Sequence, residues 1–410
     1  AALFLETFKM ADFPVKWFCG DMGGSPGNPD ELGALIEMMK ACLVTGFNIT
    51  PIGSMTYDAA SGEATVTLAT GHGFMKWQIV EVSGADQIQF NGQHRVTAIG
   101  SDWIKFVLEE ASPAATATGD LMEVKAAPAD NWEIVAEDAE SYQIALKRSD
   151  PRATDLTLVI KNGDRYQYET NADDRNRFAW VGWVTDFVDF DVHGPEDAKY
   201  WAYSGYYLPS GKSARDWVIL ADSLMIFYMP RYGHRGQRGF YMGGDIETVR
   251  PGDAYHCINN GFNYSYGFDS NYNMYTNSLD FESTYLCSLS RSYTQLPGDV
   301  PAALIGMGYR MGDVIGYPNA ADNGLYVSTG KLLVREGPSG NDAEDDRPQQ
   351  LIRGYLPGVL QPLQTTETYD QIIIDHLPNL DGVPVFFCMV ANYYSDADGH
   401  LVAFRLDNWR

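Results

Sequence analysis

Long apolar runs are missing from this sequence: the longest, such as Val385-Phe386-Phe387-Cys388-Met389-Val390, have the length of a strand, against the ~20 residues a membrane-spanning helix needs. Cations are scarce as well, with 29 Lys plus Arg set against 54 Asp plus Glu and a net charge of -25. A nucleic-acid binder needs a basic footprint that displaces counterions from phosphate. The same acidic field repels acidic membranes and acidic polysaccharides unless charge is segregated on one face. Nucleic acid and membrane are therefore not expected partners, and the acidity reads as a means of keeping a concentrated protein soluble. Cysteine is limited to five widely spread residues, Cys19, Cys42, Cys257, Cys287 and Cys388, with no Cys-x-x-Cys among them. A zinc knuckle is thereby excluded and buried thiols are expected; oxidised pairs or a thiol bridging subunits are the alternative for a particle living outside cells. The opening residues have no basic leader followed by a long apolar region, so synthesis in the cytoplasm is expected, with export only as part of something larger. There is no Gly-x-Ser-x-Gly elbow and no tandem repeat of fixed period.

What is present reads as a mainly β protein. At 410 residues the chain exceeds a single compact core and suggests two or three domains. One helix is expected over 29–45: Asn28-Pro29-Asp30-Glu31 offers an N-cap, a first-turn proline and acids facing the positive end of the dipole. Leu32, Leu35, Ile36, Met39 and Leu43 then recur at helical spacing, and Gly46 stops the run. This places an N-terminal segment at 1–52 with an amphipathic, core-packing helix. From 53 to 127 short β runs follow, at Thr65–Leu68, Ile79–Val82, His94–Ile99 and Trp103–Leu108. They are punctuated by Gly71-His72-Gly73, Ser83-Gly84, Asn91-Gly92 and Gly100-Ser101-Asp102. That cadence predicts a small β-sandwich or barrel. Residues 128–410 read as a larger all-β domain with long loops, from the runs Tyr142–Leu146, Leu156–Ile160, Trp217–Leu220, Leu224–Tyr228, Lys331–Val334 and Val385–Val390. Residues 337–347 read as an exposed acidic loop.

Few motifs suggest chemistry. Ser210-Gly211-Lys212-Ser213 resembles the end of a phosphate loop, but Tyr206 stands where the motif requires glycine. Asp189, Asp191 and His193 alternate, so on a strand they share one face. They could hold a divalent ion, or the two aspartates could act as the paired carboxylates of a glycan hydrolase; the preferred reading is a strand whose acids face water. His256 and Cys257 are adjacent, so on a strand they point apart and cannot share a proton. His72 reads as a turn residue whose ring bonds backbone. Tyr264, Tyr266, Tyr272 and Tyr275 lie in a Tyr- and Asn-rich stretch with no cation. Such surfaces stack on sugar rings or form protein interfaces, and the interface is preferred. No catalytic residue and no cofactor are expected.

Two sets of phrases resemble known proteins. Gly71-His72-Gly73-Phe74, Val80-Glu81-Val82-Ser83-Gly84-Ala85, Phe90-Asn91-Gly92, Arg95–Ile99 and Ala117-Thr118-Gly119 resemble a small β-module found in tailed-phage structural proteins. Val15-Lys16-Trp17-Phe18, Leu32–Ile36, Ala41–Phe47, Trp217–Asp222, Ile352–Leu363 and Trp409-Arg410 look like a family of tailed-bacteriophage virion structural proteins. The family's usual threonine-glycine-proline before tryptophan-arginine is here Leu406-Asp407-Asn408. The resemblance implies a non-enzymatic component of the virion, in tail, neck or baseplate. It would oligomerise with copies of itself and with other virion proteins. Capsid decoration is the nearest variant, and the rival is a receptor-binding or glycan-degrading spike or fibre in contact with host surface glycan.

Overall fold

The computed structural model describes residues 13–26, 32–162, 178–194, 196–202, 217–232, 237–261, 287–305, 325–337, 351–362, 370–390 and 400–410. Four antiparallel sheets account for these residues, and the mainly β class expected from composition and alternation is what forms.

A long sheet of eleven strands runs through the middle. From its first edge come Lys16–Cys19, Trp217–Ala221, Met225–Tyr232, Tyr241–Asp245, Cys257–Asn260 and Cys287–Arg291, and then Pro297–Ile305, Leu332–Glu336 and Leu351–Leu356. Its central strands are buried at every residue because other sheets cover both faces. On one side lies a five-stranded meander, ordered Glu196–Ala202, Phe178–Val184, Thr157–Lys161, Gln143–Arg148 and Trp132–Asp138. On the other lies the sheet of Val327–Ser328, Val359–Pro362, His400–Arg405, Leu380–Val390 and Ile372–Leu377. The period of two along Met225–Tyr232 assigns the faces: Phe227 meets Phe404 at 5.0 Å, while its neighbour Tyr228 meets Trp201 of the meander at 6.0 Å.

This layering explains why several runs looked continuously apolar. In Val385–Val390, Phe386, Cys388 and Val390 enter the main core, while Val385 and Phe387 enter a second cluster with Leu325, Leu360 and Leu401. A strand covered on both faces loses its alternation.

The N-terminal segment folds into this same core rather than standing apart. Lys16–Cys19 pairs with Trp217–Ala221, and Leu35, Ile36, Met38 and Met39 belong to the same cluster as Phe227. The helix differs from the expected 29–45. It begins at Ala34, runs to Lys40, and widens into a π turn over Ala41–Thr45 closed by the Gly46 amide on the Ala41 carbonyl. Gly33 ends it on the N-terminal side, since its φ of 80° is left-handed and a helix cannot pass through it. The proposed cap at Asn28 lies outside the described residues.

Residues 47–126 form a seven-stranded sheet in the order Phe47–Pro51, Glu123–Ala126, Ile79–Ser83, Gly92–Ile99, Trp103–Val107, Glu63–Thr67 and Ser54–Asp58. Its first and last members are consecutive in the chain. The Ile52 amide bonds Met122 on one side and the Gly53 amide bonds Thr67 on the other, so the sheet closes on itself around Met55, Val66, Val80, Val96, Ile104, Phe106 and Val124. His94 sits inside, stacked on Phe106 at 4.1 Å, with Nε2 at 2.9 Å from the Phe90 carbonyl.

Burial lowers the His94 pKa from 6.5 to about 4. The folded state thus holds the ring neutral where the unfolded chain protonates it. Its contribution is complete above pH 6.5 and is lost as pH falls toward 4, amounting at most to about 3 kcal/mol. Thermal melts of the wild type between pH 7 and 4 should fall more steeply than those of His94→Gln; parallel slopes would rule this ionisation out as a determinant.

Candidate functional site

Among the described residues, buried polar chemistry gathers at joints between strands and between sheets. At the first joint Arg148, from the meander, is wholly buried and meets Asp245 of the long sheet at 2.9 Å. Nη1 also reaches the Leu224 carbonyl at 2.9 Å, Nη2 the Thr154 hydroxyl at 2.8 Å, and Cζ lies 4.6 Å from the Trp183 ring centroid. Asp245 also accepts the Thr154 amide and hydroxyl, both at 2.7 Å. Burial pushes the Asp245 pKa up, but Arg148, His256 and the Thr154 bonds outweigh it and hold the carboxyl below its ordinary range. A guanidinium is the group suited to this place, because its planar fork serves a carboxylate, a carbonyl and a hydroxyl together.

At the second joint Arg353 is equally buried. It grips Asp253 through Nε and Nη2 at 2.7 and 2.8 Å, Glu336 at 2.6 Å, and the carbonyls of Arg291 and Tyr255. At the third, Asp370 accepts from Arg238 and Arg231 of the long sheet and from the Met389 amide of the C-terminal sheet. The hairpin at Asp222 links further parts. Its carboxylate accepts the Leu224 and Met225 amides and Arg410 Nε, and its carbonyl accepts Trp132 Nε1.

Residues 405–410 act as a strap over these joints. The Arg405 amide bonds the Gly358 carbonyl, the Leu406 amide bonds Pro384, and Arg410 Nη2 reaches the Asp245 carbonyl at 2.7 Å. Trp409 packs edge-on against Phe227 at 5.2 Å and lies against Gly358. On the other side, Arg95 of the 47–126 module donates to the Leu406 carbonyl at 2.7 Å.

The residues flagged in the sequence fall elsewhere. Asp189, Asp191 and His193 are not on a strand: Phe178–Val184 ends before them, and they form an exposed loop. Asp189 turns its carboxylate onto the amides of Asp191 and Val192 at 2.9 and 2.7 Å, and His193 Nδ1 lies 3.0 Å from the Gly194 carbonyl. This turn chemistry, an aspartate capping its own loop, overrides the alternation that suggested a shared face. No group of three or more His, Cys, Asp or Glu placed to hold a metal ion occurs among the described residues. Tyr264, Tyr266, Tyr272 and Tyr275 lie outside the described residues, as does Ser210-Gly211-Lys212-Ser213.

His256 bonds the Asp253 carbonyl at 2.7 Å. Cys257 is buried, with burial as the main force holding its thiol pKa well above the ordinary value, so it forms no thiolate nucleophile. All five cysteines are buried. His72 accepts the Phe74 amide at Nδ1 and presents Nε2 to the Gly100 carbonyl at 3.1 Å, so its ring stabilises its own turn. The joints were invisible to sequence reading because their partners lie far apart in the chain, 100 residues in the case of Arg353 and Asp253.

No protein-family model matches the chain, and no curated protein matches it. Among solved structures it is similar to the phage phi92 endosialidase at 10% identity, over 87% of this chain and 51% of that one, with a TM-score of 0.17. The chain thus spans about half the length of that protein, and a likeness at this score carries no argument. Among the described residues no helix is long and apolar enough to cross a membrane.

Removing one partner of a buried pair strands the other charge, so Arg148→Met and Asp245→Asn should each lower unfolding free energy by about 3–5 kcal/mol in denaturant titrations. The double variant Arg148→Met with Asp245→Leu should lose less than the sum of the two single changes; strict additivity would show that the pair is not coupled. Thiol titration with an aromatic disulfide reagent should detect no fast cysteine in native protein and all five after unfolding.

Proposed function

We propose that this chain is a non-enzymatic structural component of a tailed-phage virion, a subunit of tail, neck or baseplate that works through contacts with copies of itself and with other virion proteins. One observation carries the reading: several of the described phrases that resemble virion structural proteins supply residues that join strands and sheets. Lys16 and Trp17 bring the first edge strand onto Asp130 and Phe386. Asp222 anchors the strap, Arg353 forms the second buried joint, and Trp409-Arg410 fastens the strap against Phe227 and Asp245. Residues held for joining layers suit a load-bearing part.

The chemistry-bearing side chains that sequence reading singled out, where described, are engaged in the same way. His72, His256 and Asp189 bond their own backbone neighbourhoods, which leaves each of them little to offer a substrate. Ion pairs at the joints also suit a protein whose surface must stay acidic and soluble before assembly, because they draw cations inward.

Light scattering on purified protein should give a multimer of fixed number, and incubation with host surface polysaccharide should release no new reducing ends. A monomer that depolymerises such a polysaccharide would replace this reading with that of a glycan-degrading spike.

A further inference from the structure

The 47–126 module and the rest of the chain keep separate hydrophobic cores. The chain leaves the body at Gly46 and Phe47 and returns at Ala126, and Phe47 and Ala126 are paired residues on neighbouring strands. Both belong to the body's core, where the Phe47 ring meets Phe18 at 5.9 Å. The module is therefore attached through two adjacent strands, anchored at one place, with the geometry of a hinge.

Beyond that hinge the contacts between module and body are small and mostly polar. The Gly23 amide bonds the Gly73 carbonyl at 2.9 Å, at an approach so close that a Cβ on Gly73 would collide with the Gly23 backbone. Gln93 Nε2 donates to Asp130 at 2.8 Å, and Arg95 Nη2 donates to the strap's Leu406 carbonyl while its guanidinium lies 5.2 Å from the Phe13 ring. Met75 reaches the body's core, its sulfur 3.9 Å from that of Cys19. This set contrasts with the layers of the body, which are locked by interdigitated aromatics such as Phe227, Phe404 and Trp409. Polar contacts exchange for water at low net loss, and segments joined without a large apolar interface move relative to one another by default.

We infer that residues 47–126 are an arm that swings on the body about the paired strands at Phe47 and Ala126, held in its docked position by a clasp made of Arg95 on the strap, Gln93 on Asp130 and the Gly23–Gly73 contact. Releasing the clasp withdraws Met75 from the edge of the body's core and leaves the module's own core intact. An arm of this kind lets one subunit present its module at more than one angle while its sheets keep a single arrangement.

Hydrogen exchange resolved to single amides on the full chain tests this. The Gly23 amide is protected by the docked arm, the Val96 amide by the module's interior through Gln78, and the Ile219 amide lies in the buried long sheet. In the wild type Gly23 should exchange more than about tenfold faster than Val96 and Ile219. Arg95→Ala should speed Gly23 by about fivefold, the loss of one hydrogen bond of ~1 kcal/mol, with Val96 and Ile219 unchanged. Because Arg95 bonds the strap and not Gly23, that acceleration reads movement of the arm as a unit. Gln93→Ala, a milder change at the neighbouring contact on the same strand, should act in the same direction and serves if Arg95→Ala does not fold. A common exchange rate for the three amides, an acceleration shared by all three, or no effect on Gly23 in either variant would overturn the arm.

Discussion

The buried pair of Arg148 and Asp245 is the constraint from which the arrangement of layers follows. A guanidinium taken out of water needs its charge met by close partners, and here the partners of Nη1 and Nη2 come from different elements: Thr154 from the loop of the meander, Leu224 from a hairpin of the long sheet, Asp245 from its next strand. The meander can therefore sit on the long sheet in one register. Sliding it by a residue would strand the charge and at the same time remove Trp183 from its place over the guanidinium. The strap adds to the same point through the Asp245 carbonyl and Asp222, so packing of the third layer is tied to the same few atoms. Apolar burial supplies the bulk of the attraction between sheets, but it is non-directional, and the ionic joints supply the direction.

How much of this could be read from the residues depends on the range of each interaction. Strands announced themselves because their signal is local. The runs at Thr157–Lys161 and Trp217–Ala221 are rich in β-branched, aromatic and other apolar residues, Leu332–Glu336 opens on three apolar residues, and the module's alternation marks a sheet with one face inside. Strands such as Phe178–Val184 and Glu196–Ala202 went unread because glycine, alanine and charged residues interrupt them; Lys199 and Asp197 are buried between layers, where composition alone would not put them. The helix was legible in its apolar spacing, while its start at Ala34 follows from the left-handed Gly33, which no periodicity announces. Asp189 shows the reverse: alternation suggested a shared face, while the local habit of aspartate to bind backbone two and three residues on decided the conformation. The joints were out of reach altogether, since no pattern of short period links Arg238 to Asp370 across 132 residues.

The acid excess also takes a different meaning once the joints are placed. Arg148 and Arg353 are fully buried, Lys16 and Arg238 are nearly so, and Arg410 lies mostly inside. A share of an already small set of cations is thus withdrawn from the surface, and many acids remain outside, among them Asp186, Asp189 and Asp191 of one exposed loop. The joints bury acids such as Asp245 and Asp253 along with these cations, so the outer field keeps the acidic sign of the net charge of -25. Like-charged copies resist association at long range, so the proposed contacts between copies would rest on close complementarity of apolar and hydrogen-bonding surface rather than on steering.

Among the described residues, part of the apolar area available for such contact lies on the module, while Val188 and Leu296 are exposed on the body. Leu121 is 86% exposed, and Ile49 and Ile88 are more than half exposed, on a barrel whose interior is otherwise closed. The loops that carry Ile88 and Leu121 are laced together, with the Asp86 amide on the Thr118 carbonyl and the Gln87 amide group on the Thr118 hydroxyl, so the two side chains are presented from one braced end. A rigid end on a hinged base has a physical logic for assembly. Fixed side chains reduce the ordering entropy lost on contact, while freedom at the base lets that contact form without distorting the sheets. The body, with both faces of its long sheet covered and its cations drawn into the joints, supplies the stiffness against which such an arm can act.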